Sequence, residues 1–139
     1  MQKDVINLYK IERENFTDPW SIGVIQDMIS DDNTYSIGIF KDNTIIAYSF
    51  FWILDEELHL LSLSVKKENQ GKGLGKKLLA AVIEMANANK CKVVLLEVSE
   101  NNQNAIKLYK ASGFVTVGKR KNYYSDQSDA ILMDLELKR

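Results

Sequence analysis

One stretch limits more than any other what this chain can fold into: residues 69 to 84, Asn-Gln-Gly-Lys-Gly-Leu-Gly-Lys-Lys-Leu-Leu-Ala-Ala-Val-Ile-Glu. Gly71, Gly73 and Gly75 occupy alternate positions, and Leu78, Leu79, Val82, Ile83 and Met85 follow as the apolar stripe of a helix. A turn without Cβ atoms lets peptide N–H groups converge on one point. The helix N-terminus adds about half a positive charge there. Together these make a phosphate site, with Lys72, Lys76 and Lys77 as mobile charge around its rim. Glycines alone also read as plain punctuation between a strand and a helix.

Spacing excludes two common phosphate loops. A Walker A loop ends in Gly-Lys-Ser/Thr, but here Lys76 is followed by Lys77 and Leu78; the dinucleotide fingerprint is G-x-G-x-x-G, but this is G-x-G-x-G. What remains is Gln-x-x-Gly-x-Gly, read as Gln70, Gly73 and Gly75. It resembles motif A of the GNAT superfamily of N-acetyltransferases. The resemblance implies that the loop of Gly71, Lys72, Gly73, Leu74, Gly75 and Lys76 holds the pyrophosphate of acetyl-coenzyme A. It also implies that the backbone of Leu63, Ser64 and Val65 pairs with the pantetheine arm.

Val5, Leu8, Tyr9, Glu12 and Phe16 predict a helix over 3–15, broken by Thr17-Asp18-Pro19-Trp20. Asp18 or Ser21 can cap a second helix to Ile29. Strands are expected at 35–40, 45–54 and 58–65, the last with His59, Leu61, Leu63 and Val65 on one parity. The central helix is expected over 73–89. Val93 to Val98 reads as a strand buried on both faces. A helix over 104–112 closes at Gly113, and strands at 114–119 and 130–137 complete the chain. This order predicts one α/β (α+β) domain over 1–139: a mixed, mostly antiparallel sheet with helices on both faces and a right-handed β-α-β crossover. The GNAT fold looks like that, except that the family usually opens with a short strand. Its absence here leaves a sheet edge that is either capped by the side chains of 35–40 or paired by another chain.

Glu97 is a carboxylate inside an apolar strand, and two readings stand. It is a strand-end residue facing solvent, or a desolvated base of raised pKa. Asn102, Ala105, Leu108, Tyr109, Gly113 and Phe114 match the N-x-x-A-x-x-L-Y-x-x-x-G-F signature of GNAT motif B. In the family, the Tyr matching Tyr109 returns a proton to the leaving thiolate, and the Asn matching Asn102 reaches the coenzyme. Without the family, Tyr109 reads as a half-buried aromatic. A phenol of pKa ~10 stays protonated at neutral pH and can donate. Phe16-Thr17-Asp18-Pro19-Trp20, Leu95-Leu96-Glu97-Val98 and Arg120-Lys121-Asn122-Tyr123-Tyr124 resemble the RimI-type subgroup, which acetylates the N-terminal alanine of a small-subunit ribosomal protein. That likeness assigns Glu97 as base and Tyr109 as acid. Tyr123 and Tyr124 read equally as padding or as a peptide-binding rim. Trp20 reads as core, and Arg120 with Lys121 as a solvated charge pair.

A net charge of −1 offers no bulk attraction to nucleic acid or anionic membrane. One Cys and one His cannot furnish an ordinary zinc site, so no metal is expected. Cys91 reads as a packing residue. The lone Cys and the lack of a long apolar run imply a cytoplasmic protein. The RimI-type resemblance implies a protein or peptide N-terminus as partner, and a monomer or weak homodimer is expected. Two rivals share the motif: acetylation of a small-molecule amine or a protein lysine, and a non-catalytic coenzyme-A-binding module.

Overall fold

The computed structural model describes residues 2–138. Val5, Leu8, Ile11 and Glu12 form the buried stripe of α1 (Val5–Asn15), and extended backbone at Phe16 ends it. Ser21 opens α2 (Ile22–Ser30), its hydroxyl accepting the Val24 N–H at 3.1 Å. Three antiparallel strands come next, β1 (Thr34–Lys41), β2 (Thr44–Leu54) and β3 (Glu57–Val65). Asp42 and Asn43, at φ 51° and 65°, make the tight turn between the first two. Then come α3 (Leu74–Ala88), β4 (Val93–Ser99), α4 (Gln103–Ala111), β5 (Val115–Arg120) and β6 (Ala130–Glu136).

The sheet runs β1-β2-β3-β4-β6-β5, with β3 and β4 parallel and the other neighbours antiparallel. Among the described residues no strand precedes α1, so β1 is an edge. Tyr35 there is 40% exposed and stacks on Phe51 at 5.5 Å. Two apolar layers sandwich the sheet. Leu79, Val82 and Ala86 of α3 meet Phe51, Leu60, Leu96 and Met133 on one face. Leu8, Ile11 and Ile25 meet Ile45, Tyr48 and Phe50 on the other. Cys91 is fully buried in the first layer.

Two strand expectations need correction. The register steps from Phe50↔Ser62 to Phe51↔Leu60, skipping Leu61. This extra residue is a β-bulge, and it flips the parity of the strand beyond it. Leu63 and Val65 therefore return to the α3 face used by Leu58 and Leu60, while Leu61 packs with α1 and α2, on the face opposite to them. The second correction concerns β4, which is fully buried on one face only. Val94, Leu96 and Val98 are core, whereas Leu95 is half-buried and Glu97 exposed. The reason is coverage: α1 and α2 pack over β1 to β3 and leave that face of β4 uncovered.

Candidate active site

The parallel pairing of β3 and β4 runs from Glu57↔Val93 to Leu60↔Leu96 and stops at the bulge. Beyond it the strands part, and a cavity of about 1200 Å³ opens between them. Alternate residues of an antiparallel strand face the same neighbour. Lys66 N–H bonds Ile46 C=O at 2.8 Å and Ser62 C=O accepts from Ser49 Oγ at 2.9 Å, so the even-numbered residues face β2. Leu63 and Val65 thus aim their main-chain groups into the gap. Ser64 does not: its main chain faces β2, and its buried hydroxyl accepts from Asn15 Nδ2 at 2.6 Å. The Val65 carbonyl is already taken, by Asn15 Nδ2 at 2.8 Å and Gln70 Nε2 at 2.9 Å. Gln70 is therefore a tie between the glycine turn and β3.

The turn itself has the backbone an anion needs. Gly71 and Gly73 stand at φ +78° and +81°, and a Cβ on either would meet nothing within 4 Å. Gly73 is the left-handed N-cap of α3. The first helical bond is Lys77 N–H to Gly73 C=O at 3.1 Å, so the amides of Leu74, Gly75 and Lys76 have no acceptor within the helix. Lys72 and Lys76 are exposed beside them. Gly75 has a different job: a Cβ there would lie 3.3 Å from Leu108 Cδ2, so it lets α3 approach α4. The turn succeeds the end of β3 and lies outside the cavity walls, which include Leu63, Glu97, Asn102 and Tyr109.

Those four side chains come from three elements. Asn102 caps α4, its Oδ1 accepting the Ala105 N–H at 3.3 Å, and this leaves its Nδ2 donors unused by the cap. Tyr109, on the buried face of α4, is 6% exposed with its ring 5.6 Å from Phe114. Burial, with Tyr124 nearby, pushes its phenol well above the usual value. Of its two readings, Glu97 takes the solvent-facing one, yet it is not isolated. Arg120 is exposed, as expected of a solvated charge, and its Nε donates to Glu97 Oε1 at 2.9 Å, which also makes it a partner of the candidate base. Tyr123 and Tyr124 pack edge to face at 5.2 Å and line the cavity. Trp20, expected as core, is partly buried: it packs against the second apolar layer, meeting Phe50 edge-on at 5.7 Å, and lines the cavity.

Residues 5–114 match the Acetyltransferase (GNAT) family. The chain belongs to that family. It is 32% identical to the ribosomal protein bS18-alanine N-acetyltransferase of Haemophilus ducreyi, covering 99% of this chain and 97% of that one. The Haemophilus influenzae enzyme of the same name is 31% identical over 90% of this chain and 84% of its own. In three dimensions the crystal structure of the Escherichia coli ribosomal-protein-S18-alanine N-acetyltransferase superposes with a TM-score of 0.90 at 27% identity. That match covers 100% of this chain and 91% of the other. This is a RimI-like, acetyl-coenzyme-A-dependent N-acetyltransferase.

The GNAT motifs did not announce every residue around its cavity. Glu12 lines it from α1, 2% exposed, and accepts from Tyr48 Oη at 2.5 Å, Ser62 Oγ at 3.2 Å and Trp20 N–H at 3.3 Å. The signal was present as a carboxylate at the spacing of Val5 and Leu8 on an apolar stripe. Asp18 also lines it, and accepts from the Ser125 N–H at 2.9 Å and from the Ser125 hydroxyl, joining two loops distant in sequence. Asp31, Asp126 and Asp129 are occupied locally, by Thr34, Ser128 and the Asn122 N–H. Among the described residues no helix is long and apolar enough to cross a membrane, and no cluster of side chains is built to hold a metal.

Proposed function

We propose that this N-acetyltransferase acts on the N-terminal α-amine of a protein, and that the alanine terminus of a small-subunit ribosomal protein is its substrate. The observation that carries the reading is one cavity, opened by the parting of β3 and β4, with Glu97 and Tyr109 both in its walls. Val117 and Tyr123, 56% and 54% exposed, also line it, so it is a trough open to solvent, as an extended peptide requires.

The unpaired amides of 74–76 hold the diphosphate of acetyl-coenzyme A, with Lys72 and Lys76 beside it, and Asn102 reaches the same molecule from the cap of α4. Leu63 and Val65 present main-chain groups to the pantetheine arm. Glu97, its Oε1 held by Arg120, takes the proton of the α-ammonium through a water. The neutral nitrogen attacks the thioester carbonyl. A main-chain N–H of Leu63 or Val65 donates to the oxyanion. Tyr109, kept protonated by its burial, gives its proton to the thiolate as the C–S bond breaks, and the second proton shed by the acylated nitrogen makes good the one that Tyr109 gave. An α-amine of pKa ~8 is neutral at pH 7 about a hundredfold more often than a lysine of pKa ~10.4, so a modest base suffices.

A second reading, acetylation of a small polyamine, has one observation in its favour. Glu12, Asp18, Glu97 and Asp134 line the cavity, and among the described residues no Lys or Arg does. A panel of N-terminal hexapeptides, lysine peptides and polyamines decides between them. Preferred turnover of Ala-initiated peptides is expected; turnover confined to polyamines would overturn the peptide assignment. Comparing the N-terminal proteome with and without the protein then identifies the acceptor by its lost acetyl group.

A further inference from the structure

Glu12 is a carboxylate that the proposed chemistry does not use. It lies within the wall of the cavity, and no cation pairs with it among the described residues; three neutral donors meet it instead. Desolvation raises its proton affinity against the pull of those donors. An apolar side chain would dock α1 on the sheet without that cost. The carboxylate therefore calls for a role other than packing.

Its donors supply one. An ionised carboxylate can only accept, and a hydroxyl has a single proton to give. Ser62 directs that proton at Glu12 Oε2. The remaining lone-pair capacity of Ser62 Oγ is then available to the cavity, which Ser62 also lines. The arrangement is fixed from the other end as well. Asn15 Nδ2, which can only donate, gives to Ser64 Oγ; Ser64 hydrogen-bonds Tyr48; and Tyr48 Oη donates to the same oxygen of Glu12. Every proton in this chain points toward Glu12. Ser62 sits on the sheet face that also carries Glu97, since Leu63 and Leu96 face the opposite way.

We propose that Glu12 is a positioning residue for the acceptor amine: it holds the Ser62 hydroxyl as an obligate acceptor, and Ser62 Oγ takes an N–H of the amine beside Glu97. This rests on the amine-acetylating site proposed above and adds to it the group that orients the nucleophile. The titratable and charged groups around Glu12 are few. Tyr48 faces it from β2. His59 lies on the same sheet face of β3, paired with Glu57 at 3.0 Å. Asp18 stands on the loop, Glu97 with Arg120 stands across the cavity, and the α2 side is apolar through Ile22 and Ile25.

The test uses the full chain, acetyl-coenzyme A and an Ala-initiated hexapeptide, or spermidine if the parent enzyme turns over polyamines alone. Ser62→Ala and Glu12→Gln should each lower kcat/KM for the acceptor roughly tenfold, the scale of one hydrogen bond to a charged or polar substrate group. The KM for acetyl-coenzyme A should stay unchanged, and the double variant should be no worse than the poorer single one. The loss should fall on acceptor kcat/KM while Glu12→Gln melts no lower than the parent, a combination that a packing role would not give. Parental kcat/KM in Ser62→Ala, multiplying effects in the double variant, or a loss that tracks a lowered melting temperature would each overturn the role of Glu12 while leaving the acetyltransferase reading intact. A parent enzyme inactive on both amines would overturn the two together.

Discussion

Glu97 and Tyr109 reach the cavity from different elements, and conservative substitutions separate their roles. Glu97→Gln should leave coenzyme affinity nearly unchanged and lower turnover by about 10²-fold or more, most strongly below pH 8, where the amine most needs a base. Unchanged turnover across that range, measured by coenzyme A release, would remove Glu97 as base. Tyr109→Phe should slow turnover to a similar extent, since it deletes the donor and keeps the ring beside Phe114; a variant as fast as the parent rules out the acid role. Glu12 gives a prediction of opposite sign. Its folded-state pKa is raised above 4.5, so the native state binds more protons than the unfolded chain as pH rises through the interval above that value. Stability therefore falls with pH in that interval. Glu12→Gln should melt higher than the parent at pH 7 and converge with it at acid pH. A variant that melts lower at neutral pH would mean that the charge serves the fold.

At the scale of elements, the glycine turn was legible because a backbone requirement shows as residue type: only glycine takes φ near +80° at Gly71 and Gly73 without strain. Two substitutions tell its glycines apart. Gly73→Ala adds strain of about 1 kcal/mol where the phosphate is expected, and should weaken coenzyme A binding by more than it lowers the melting temperature. Gly75→Ala meets Leu108 at 3.3 Å and should chiefly destabilise the packing of α3 on α4. Calorimetric titration beside thermal melts reads both. The bulge at Leu61 was not legible. Leu61, Leu63 and Val65 keep a perfect local alternation, and the extra residue exists only relative to β2. Yet this bulge ends the β3–β4 pairing and opens the cavity.

At the scale of the molecule, the mouth of the cavity is assembled from segments more than a hundred residues apart. Asp18, on the loop between α1 and α2, holds Ser125 on the loop between β5 and β6, and Thr17 reaches Asp126 at 3.5 Å. Asp18→Ala should release this clasp and raise the acceptor KM several-fold, the scale of exposed hydrogen bonds to a charged group, with little change in the KM for acetyl-coenzyme A. Equal acceptor KM values in steady-state assays would show the loops to be held by other contacts. The uncovered face of β4 belongs to this scale too. Glu97 read either as a solvent-facing residue or as a desolvated base; α1 and α2 stop short of β4 and leave it at the surface with Arg120, which is the first of the two.

Order, type and rough extent of the helices and strands, and the anion-ready turn, came from local periodicity and backbone chemistry. Each of those is a property of residues a few positions apart. Which side chains meet was decided by packing: the bulge that parts β3 from β4, the pairing of Glu97 with Arg120, and the burial of Glu12 among Tyr48, Ser62 and Trp20. Contacts of that kind depend on register and on which elements cover which face of the sheet, and these are set only when the whole chain closes on its two apolar layers.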